Sequence, residues 1–248
     1  MRFTAGYPVR HFERIDSTNS EARRLAEQGE RGPLWIVADR QDGGRGRLGR
    51  HWVSEPGNLY ATLLWPLAGG PEVASQAALV AAVAVHDVVG RLRPGLEPRI
   101  KWPNDLLIGG AKFCGILAEV VAMAPTRIAI GCGINIAHAP PGTPYPVTAL
   151  GVGRTVEQVF QELDISLSNF MRIWDEGRGF AAIREAWAAA ALGLGGAATA
   201  TVGGWSVTGR VVGLAPDGAL VLESADGQQH RVLSGDVSFA ELEELRRS

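Results

Sequence analysis

A run of glycine-spaced arginines, residues 43–50 (GGRGRLGR), is the most distinctive chemistry-bearing stretch of this 248-residue chain. Glycine permits positive φ and a close approach of the backbone to a ligand, and each arginine offers a planar fork of donors that matches a carboxylate or a phosphate. The stretch therefore predicts an anion-binding loop. A mobile basic surface loop and an RNA-binding segment share this composition, and both alternatives stay open at this point.

Polar side chains that suit a charged, nucleotide-like ligand recur in four loops at the ends of predicted elements. They occupy residues 17–19, 41–50, 101–105 with Lys112, and 131–135. Asn104 and Asp105 offer oxygen ligands for Mg²⁺, which usually shares its coordination with phosphates, and Lys112 can neutralise phosphate charge. The alternatives are an ordinary turn after Pro103 for the first pair and an exposed hairpin charge for Lys112.

Several familiar catalytic signatures are missing from the sequence. It has no Walker A phosphate loop and no recognisable Ser/His/Asp or Cys/His nucleophile arrangement. Their absence favours catalysis by positioning and charge stabilisation over covalent catalysis by a side chain.

Hydrophobic periodicity and turn residues predict alternating strands and helices around these loops. The predicted helices cover residues 18–29, 73–89, 155–175 and 180–191, and the predicted strands cover 34–38, 58–65, 98–102, 106–108, 111–120 and 127–131. Thr18 with Glu21 has the form of a capping box at the first helix start. Gly109 and Gly110 predict the turn of a hairpin.

Composition changes at residues 193–196 (GLGG), which predicts a division into residues 1–194 and 195–248. Short strands separated by turn signals follow, near residues 198–202, 206–214, 219–223 and 229–233, with a short helix or tail at 239–246. The second part is therefore predicted to be a small all-β module.

The charge and cysteine content bound the class of protein. There are 24 basic and 26 acidic residues, so no global field favours a nucleic-acid partner. Cys114 and Cys132 lie in apolar runs without metal-ligand spacing, which predicts reduced core thiols in a cytosolic protein. Residues 1–10 lack a targeting pattern, and we expected no run long enough to span a bilayer. A cytoplasmic location without membrane or nucleic-acid partners is the expectation.

Five motifs in order resemble those of the biotin protein ligases, and the resemblance runs from about residue 12 through the C-terminal module. They are residues 16–19, 41–52, 101–105, Lys112 with 115–119, and 131–135. The resemblance implies an α/β (α+β) fold with a mixed β-sheet flanked by helices, of the class II aminoacyl-tRNA synthetase and biotin ligase type. A small C-terminal SH3-like β-barrel is implied to follow.

The same resemblance implies a two-step reaction with ATP and biotin as substrates and Mg²⁺ as metal. Biotin is activated to biotinyl-5′-AMP, and the biotinyl group then passes to a lysine of a biotin carboxyl carrier protein. A homodimer is expected from the family. Bifunctional members carry a helix-turn-helix domain before these motifs. About a dozen residues precede the motifs in this sequence, so no repressor activity is expected.

The resemblance also assigns roles to residues. Biotin contacts fall to Ser17, Thr18, Asn19, Gln41, Arg45, Gly46, Arg47, Lys112, Gly115 and Leu117. ATP and adenylate contacts fall to Arg45, Arg47, Arg50, Trp52, Lys101, Asn104, Asp105 and Asn135. Lys112 and Arg47 are the implied catalytic residues, and Asp105 and Asn104 the implied Mg²⁺ ligands.

Two departures and two rival functions accompany this reading. Ala111 stands where the family often has a basic residue, and Asp42 puts a carboxylate beside the anion loop, which weakens anion binding unless it points outward. The nearest rival is a lipoate or octanoate transferase, whose enzymes resemble this fold. A nucleic-acid-binding module that uses the Gly/Arg loop is the rival from another class.

Overall fold

The computed structural model describes residues 3–68, 70–151 and 153–245. Within them the α-helices are α1 (Thr18–Glu27), α2 (Ala74–Leu92), α3 (Val156–Trp174), α4 (Phe180–Ala190) and α5 (Ala240–Leu245). The strands are β1 (Val9–Phe12), β2 (Leu34–Ala38), β3 (Leu59–Pro66), β4 (Arg99–Lys101), β5 (Asp105–Ile108), β6 (Ala111–Met123), β7 (Thr126–Ile134), β8 (Ala197–Val202), β9 (Trp205–Leu214), β10 (Leu220–Glu223), β11 (Gln229–Val232) and β12 (Asp236–Phe239).

Seven strands form the main sheet in the order β1-β2-β3-β7-β6-β5-β4. The β1–β2 pair is parallel and the other neighbours are antiparallel, so the sheet is mixed. The hairpin predicted around Gly109 and Gly110 joins β5 to β6, and both glycines have positive φ. The predicted α/β class with a mixed sheet flanked by helices is confirmed.

Helices cover both faces of this sheet. Apolar side chains of α2, α3 and α4 form one large core with alternate residues of the strands, such as Ile116, Ile128 and Ile130. On the other face, Ala22 and Leu25 of α1 pack with residues of β2, β3, β6 and β7 in a smaller cluster. Because side chains alternate across a strand, β2, β3, β6 and β7 each contribute residues to both clusters.

The expectation that no run approaches membrane-spanning length was wrong. The segment Pro71–Leu92, which is α2 with the 3-10 turn before it, is long and apolar enough to cross a bilayer by length and composition. Most of α2 is buried between the sheet and the helices α3 and α4, and a helix enclosed on most sides reads as apolar all round.

The C-terminal module is a five-stranded antiparallel sheet in the order β11-β10-β9-β8-β12. Most of its buried apolar residues, among them Val211, Leu222 and Phe239, belong to the same apolar cluster as the core under the main sheet, whereas Ala215, Ala219 and Val221 form a small cluster of their own. The division at residues 194 and 195 stays a prediction. Of the predicted tail at 239–246, Arg246 lies outside the described residues.

Two strands were not predicted from the sequence. β1 pairs its four residues with β2, and β12 pairs with β8. Both have only four residues and alternate exposed and half-buried or buried positions, so they lack the apolar runs that mark the longer strands.

Candidate active site

A cavity of about 250 Å³ opens on the α1 face of the main sheet and reaches the C-terminal module. Its walls come from the α1 N-terminus, the Gly/Arg loop, the β4–β5 turn, the middle of β6 and β7, and the start of β12. The predicted site residues that line it are Ser17, Thr18, Asn19, Gln41, Arg45, Gly46, Arg47, Arg50, Trp52, Lys101, Asn104, Asp105, Lys112, Gly115 and Leu117.

Asn135 is the predicted site residue that does not line this cavity. It directly follows β7 and is 1% exposed. Its Nδ2 donates to the carbonyl of Thr148 at 3.0 Å, while its Oδ1 has no hydrogen-bond partner within the described residues. In this arrangement the side chain anchors the segment near Thr148, and its role toward a nucleotide stays a prediction.

Helix α1 begins at Thr18, as predicted, but its capping residue lies one position before the predicted one. Ser17 is the N-cap and its Oγ accepts from the backbone N–H of Ser20 at 3.4 Å, so the predicted capping box of Thr18 and Glu21 is wrong. Thr18 lies at the cavity wall instead, where its backbone N–H donates to Gln41 Oε1 at 2.8 Å. The α1 N-terminus therefore presents polar side chains to the cavity.

Lys112 lies at the centre of the cavity wall. Its Nζ is 2.7 Å from Asp105 Oδ1, 5.2 Å from the centroid of the Trp52 ring and 5.5 Å from that of Tyr145. One carboxylate and two aromatic faces thus hold the ammonium in place. Lys101 and Lys112 are the only lysines in the sequence, whose other basic residues are arginines, and both line the cavity.

Two glycines on adjacent strands make room for the indole of Trp52. A Cβ at Gly133 would lie 2.5 Å from Trp52 Nε1, and a Cβ at Gly115 would lie 2.9 Å from Trp52 Cζ3. The indole therefore lies directly against the backbone of β6 and β7 at these two glycines. Its Nε1–H is buried without a hydrogen-bond partner within the described residues. A buried donor of this kind is available to a ligand that offers an acceptor.

The arginines of the Gly/Arg loop point to three different walls. Arg45 Nη2 donates to Ser20 Oγ at 3.1 Å, and Arg47 Nη1 donates to Asn104 Oδ1 at 3.4 Å. Arg50 forms a bidentate pair with Asp236 of β12, at 2.9 and 2.8 Å. Burial lowers the pKa of Arg47, whereas the hydrogen bond to Asp236 raises the pKa of Arg50. Both guanidinium groups remain cationic near neutral pH.

The apex of this loop is exposed and conformationally unusual. Leu48 has a φ of 57° and its side chain is 79% exposed. The left-handed region costs a residue with a Cβ about 1–2 kcal/mol. Asp42, at the start of the loop, pairs outward with Arg14 at 2.7 Å and with Arg40 at 3.4 Å. The carboxylate therefore points away from the cavity.

Two contributors to the cavity had no signal in the motifs. Tyr145 comes from the proline-rich loop that precedes α3, and Asp236 comes from the C-terminal module, 186 residues after Arg50. Neither lies next to a motif in the sequence. Both residues reach the cavity because the folded chain passes it again at positions that are distant in sequence from the motifs.

The charges of the cavity favour an anionic ligand. Five cations line it, Arg45, Arg47, Arg50, Lys101 and Lys112, against the two carboxylates of Asp105 and Asp236. Thr18, Asn19 and Gln41 line the same cavity, together with Gly115 and Leu117. This lining suits a ligand that combines polar groups with carboxylate or phosphate charge.

Comparison with known proteins shows which family this chain is similar to. Residues 11–135 match the model of the Biotin/lipoate A/B protein ligase family, and residues 195–240 match that of the Biotin protein ligase C terminal domain. A biotin–[acetyl-CoA-carboxylase] ligase of Paracoccus denitrificans is 40% identical over 229 residues, which cover 87% of this chain and 94% of the relative. The bifunctional ligase/repressor BirA of Bacillus subtilis is 30% identical over 249 residues, 94% of this chain and 74% of the relative.

The fold is likewise shared with a solved structure. The chain is similar to the biotin protein ligase of Aquifex aeolicus in complex with biotin and ATP, with a TM-score of 0.78 and 27% identity. The match covers 93% of this chain and 97% of the Aquifex chain. From its two matched family models, its relatives and its architecture, the chain belongs to the biotin protein ligase family of enzymes.

Proposed function

We propose that the cavity binds biotin and ATP together and forms biotinyl-5′-AMP, from which the biotinyl group passes to a lysine of a biotin carboxyl carrier protein. The observation that supports this most directly is that five cations and the polar side chains of Thr18, Asn19 and Gln41 line one cavity. The similar Aquifex aeolicus enzyme is described with biotin and ATP bound.

In the first step a biotin carboxylate oxygen attacks the α-phosphorus of ATP. A bond forms between that oxygen and phosphorus, the bond to the bridging oxygen breaks, and pyrophosphate leaves with the electron pair. The step brings two anions together, so a cation held at their meeting point stabilises the transition state. Lys112 has this role because Asp105 and the two aromatic rings fix its ammonium in advance.

In the second step a lysine amine of the carrier attacks the acyl carbon of the adenylate. The new amide bond replaces the acyl–oxygen bond, AMP departs, and the amine proton passes to solvent. Until then the mixed anhydride must be protected from water. Arg47 and Arg50 belong to a glycine-rich loop that lies over the cavity, and this loop provides the cover.

Mg²⁺ is proposed to enter with ATP. Asp105 is a suitable carboxylate, although one of its oxygens is engaged by Lys112. Asn104 is less suitable, since its Nδ2 donates to the carbonyl of Ile116 at 2.8 Å and its Oδ1 faces the cation of Arg47. Among the described residues no group of three or more His, Cys, Asp or Glu is arranged to hold a metal. Phosphate oxygens and water would therefore supply most ligands, as is usual for Mg²⁺.

A biotin-dependent exchange of pyrophosphate into ATP tests the first step, and the mass gain of a purified biotin carboxyl carrier domain tests the second. Lipoic acid in place of biotin is the matched comparison. We expect exchange and transfer with biotin only. Activity with lipoic acid and none with biotin would replace this proposal with the lipoate alternative.

Repressor activity, oligomeric state and location stay predictions. Some relatives are bifunctional ligase/repressors, so the expected lack of repression needs its own test. Specific DNA binding that responds to biotin and falls steeply with salt would contradict the expectation. Sedimentation with and without biotin and ATP would test the expected homodimer, and cell fractionation would test the expected cytoplasmic location.

A further inference from the structure

Thr62 of β3 lies directly behind the cavity wall. It is 0% exposed and does not line the cavity. Its Oγ1 is 2.7 Å from Thr18 Oγ1 and 2.7 Å from Asn19 Oδ1. One buried hydroxyl thus contacts two of the three polar side chains that the α1 N-terminus presents to the cavity, those of Thr18 and Asn19.

The direction of these hydrogen bonds follows from counting protons. The hydroxyl of Thr62 has one proton, and Asn19 Oδ1 can only accept. Thr62 therefore donates to Asn19 and accepts from Thr18. The proton of Thr18 is then used toward Thr62, so Thr18 offers only lone pairs to the cavity. Three oxygen–oxygen contacts share two hydroxyl protons, and the longest of them, Thr18 Oγ1 to Gln41 Oε1 at 3.1 Å, is the one left without a proton. Gln41 Oε1 accepts from the backbone N–H of Thr18 instead.

The orientation of the Asn19 amide is fixed from its other end. Its Nδ2 donates to Glu119 Oε2 at 2.8 Å and to the carbonyl of Leu117 at 3.2 Å, and both partners can only accept. The amide oxygen must therefore face Thr62. Gly131 supports this arrangement, because a Cβ there would collide with Asn19 Oδ1. The network has one consistent set of proton positions.

We propose that Thr62 is a positioning residue for biotin, which sets the orientation and hydrogen-bond polarity of Thr18 and Asn19 without touching the ligand. This inference rests on the proposed function. Its consequence is that the wall near Thr18 and Gln41 selects a ligand group that donates hydrogen bonds. In Thr62→Val a methyl group would replace the hydroxyl that now lies 2.7 Å from Thr18 Oγ1 and from Asn19 Oδ1. The side chains of Thr18 and Asn19 would then have to move.

The test compares Thr62→Val with Thr62→Ser in biotin-dependent pyrophosphate exchange. For Thr62→Val we expect the KM for biotin to rise about tenfold, since the loss of a well-placed hydrogen-bond network is of that order. The KM for ATP should stay at its wild-type value. Thr62→Ser keeps the hydroxyl and should restore the KM for biotin. A merely structural role would lower the active fraction, and hence kcat, without this selective change.

Thr126→Val is the matched control, because it also removes a mostly buried threonine hydroxyl from the sheet, at the β6–β7 turn and away from the cavity. An unchanged KM for biotin in Thr62→Val would overturn the inference, as would an equal rise in Thr126→Val. If Thr62→Val does not fold, Thr62→Cys retains a weak donor and should give an intermediate KM. A wild-type KM for biotin in Thr62→Cys would then overturn the inference. Absence of exchange in the wild-type protein would instead count against the proposed function.

Discussion

Lys112 is a lysine in a chain that otherwise uses arginine for its positive charges, apart from Lys101. The space around its Nζ is bounded by Asp105 and by the rings of Trp52 and Tyr145. A compact ammonium fits this space, whereas a guanidinium is broader and binds through a planar fork. Shape as well as charge therefore explains this residue type.

We predict that Lys112→Ala lowers the rate of adenylate formation by about 10²–10³-fold, the usual effect of removing a preorganised charge-stabilising group. Lys112→Arg should recover only part of the rate, because the charge returns with the wrong shape. Pyrophosphate exchange gives the rates, and circular dichroism checks that the fold is kept. A rate near that of wild type in Lys112→Ala would remove the residue from its proposed role.

Cys114 and Cys132 are buried free thiols, as predicted. Burial raises the pKa of Cys132 to about 12 and that of Cys114 well above its ordinary value. The folded protein therefore keeps both protons at a pH where the unfolded chain has lost them. Their contribution to stability is complete below the ordinary thiol pKa of about 8.5–9 and is lost as pH rises from there toward 12.

We predict that between about pH 8 and pH 10.5 wild-type protein loses more unfolding free energy than the variant Cys114→Ala/Cys132→Ala, by about 2 kcal/mol for the Cys132 thiol and by a further amount for the Cys114 thiol. Urea unfolding of both proteins at the two pH values measures the difference. The phenol of Tyr60, whose pKa burial also raises, is present in both proteins and cancels. Equal losses would contradict the assignment.

The Gly/Arg loop is an element that connects two parts of the molecule. Arg47 reaches the β4–β5 turn of the main sheet, and Arg50 reaches the start of β12 in the C-terminal module. The Arg50–Asp236 pair is well exposed, so it contributes little to stability. Its larger effect is on the cavity, where Asp236 is one of two carboxylates. Asp236 pairs with the guanidinium of Arg50, which could otherwise face an anionic ligand.

Asp236→Asn should therefore lower the KM for ATP by about two- to fivefold at low salt, in line with the size of exposed ion pairs, with little change in unfolding free energy. The effect should shrink at high salt because of screening. Asp217→Asn is the control, since it breaks the Arg231–Asp217 pair of the same module outside this cavity. A KM for ATP that rises in Asp236→Asn would show that Asp236 supports the loop instead.

At the scale of the whole molecule, the two sheets share one apolar core. Phe239 of β12 is 1% exposed, and it packs so closely on Gly193 that a Cβ there would lie 2.5 Å from its ring. Hydrogen bonds also join the two parts, among them Trp102 Nε1 to the carbonyl of Gly218 at 3.2 Å. The module is thus held against the site that it helps to line.

Because the core is continuous, we predict one cooperative unfolding transition, which Phe239→Ala shifts by about 3–5 kcal/mol. Trp205→Ala removes a large aromatic side chain from the same module, but one that is 57% exposed, and should have an effect near zero. Urea unfolding followed by far-ultraviolet circular dichroism measures both. Two separate transitions, with only the smaller one shifted, would show that the module folds independently.

Long elements and local chemistry were accessible to the sequence. The apolar runs of α2, α3, β3 and β7 are longer than a turn or a loop would contain, so hydrophobic periodicity predicted these elements. Each loop motif also carried its own chemistry in adjacent residues, and nearly all the predicted site residues line one cavity. Arginines, glycines and the two lysines were enough to predict an anion site at strand ends.

Contacts across long sequence separations were decided only by the tertiary structure. Thr62 lies 43 residues from Asn19, and Asp236 lies 186 residues from Arg50. Neither position carries a local pattern, because the partners of Thr62 lie in helix α1 and the partner of Asp236 lies in the Gly/Arg loop. Thr18 shows the same limit, since its sequence favours a helix cap, whereas at the cavity wall Thr62 binds its hydroxyl and Gln41 accepts from its backbone N–H. The sequence by itself determined the chemical groups, and tertiary packing determined which of them meet.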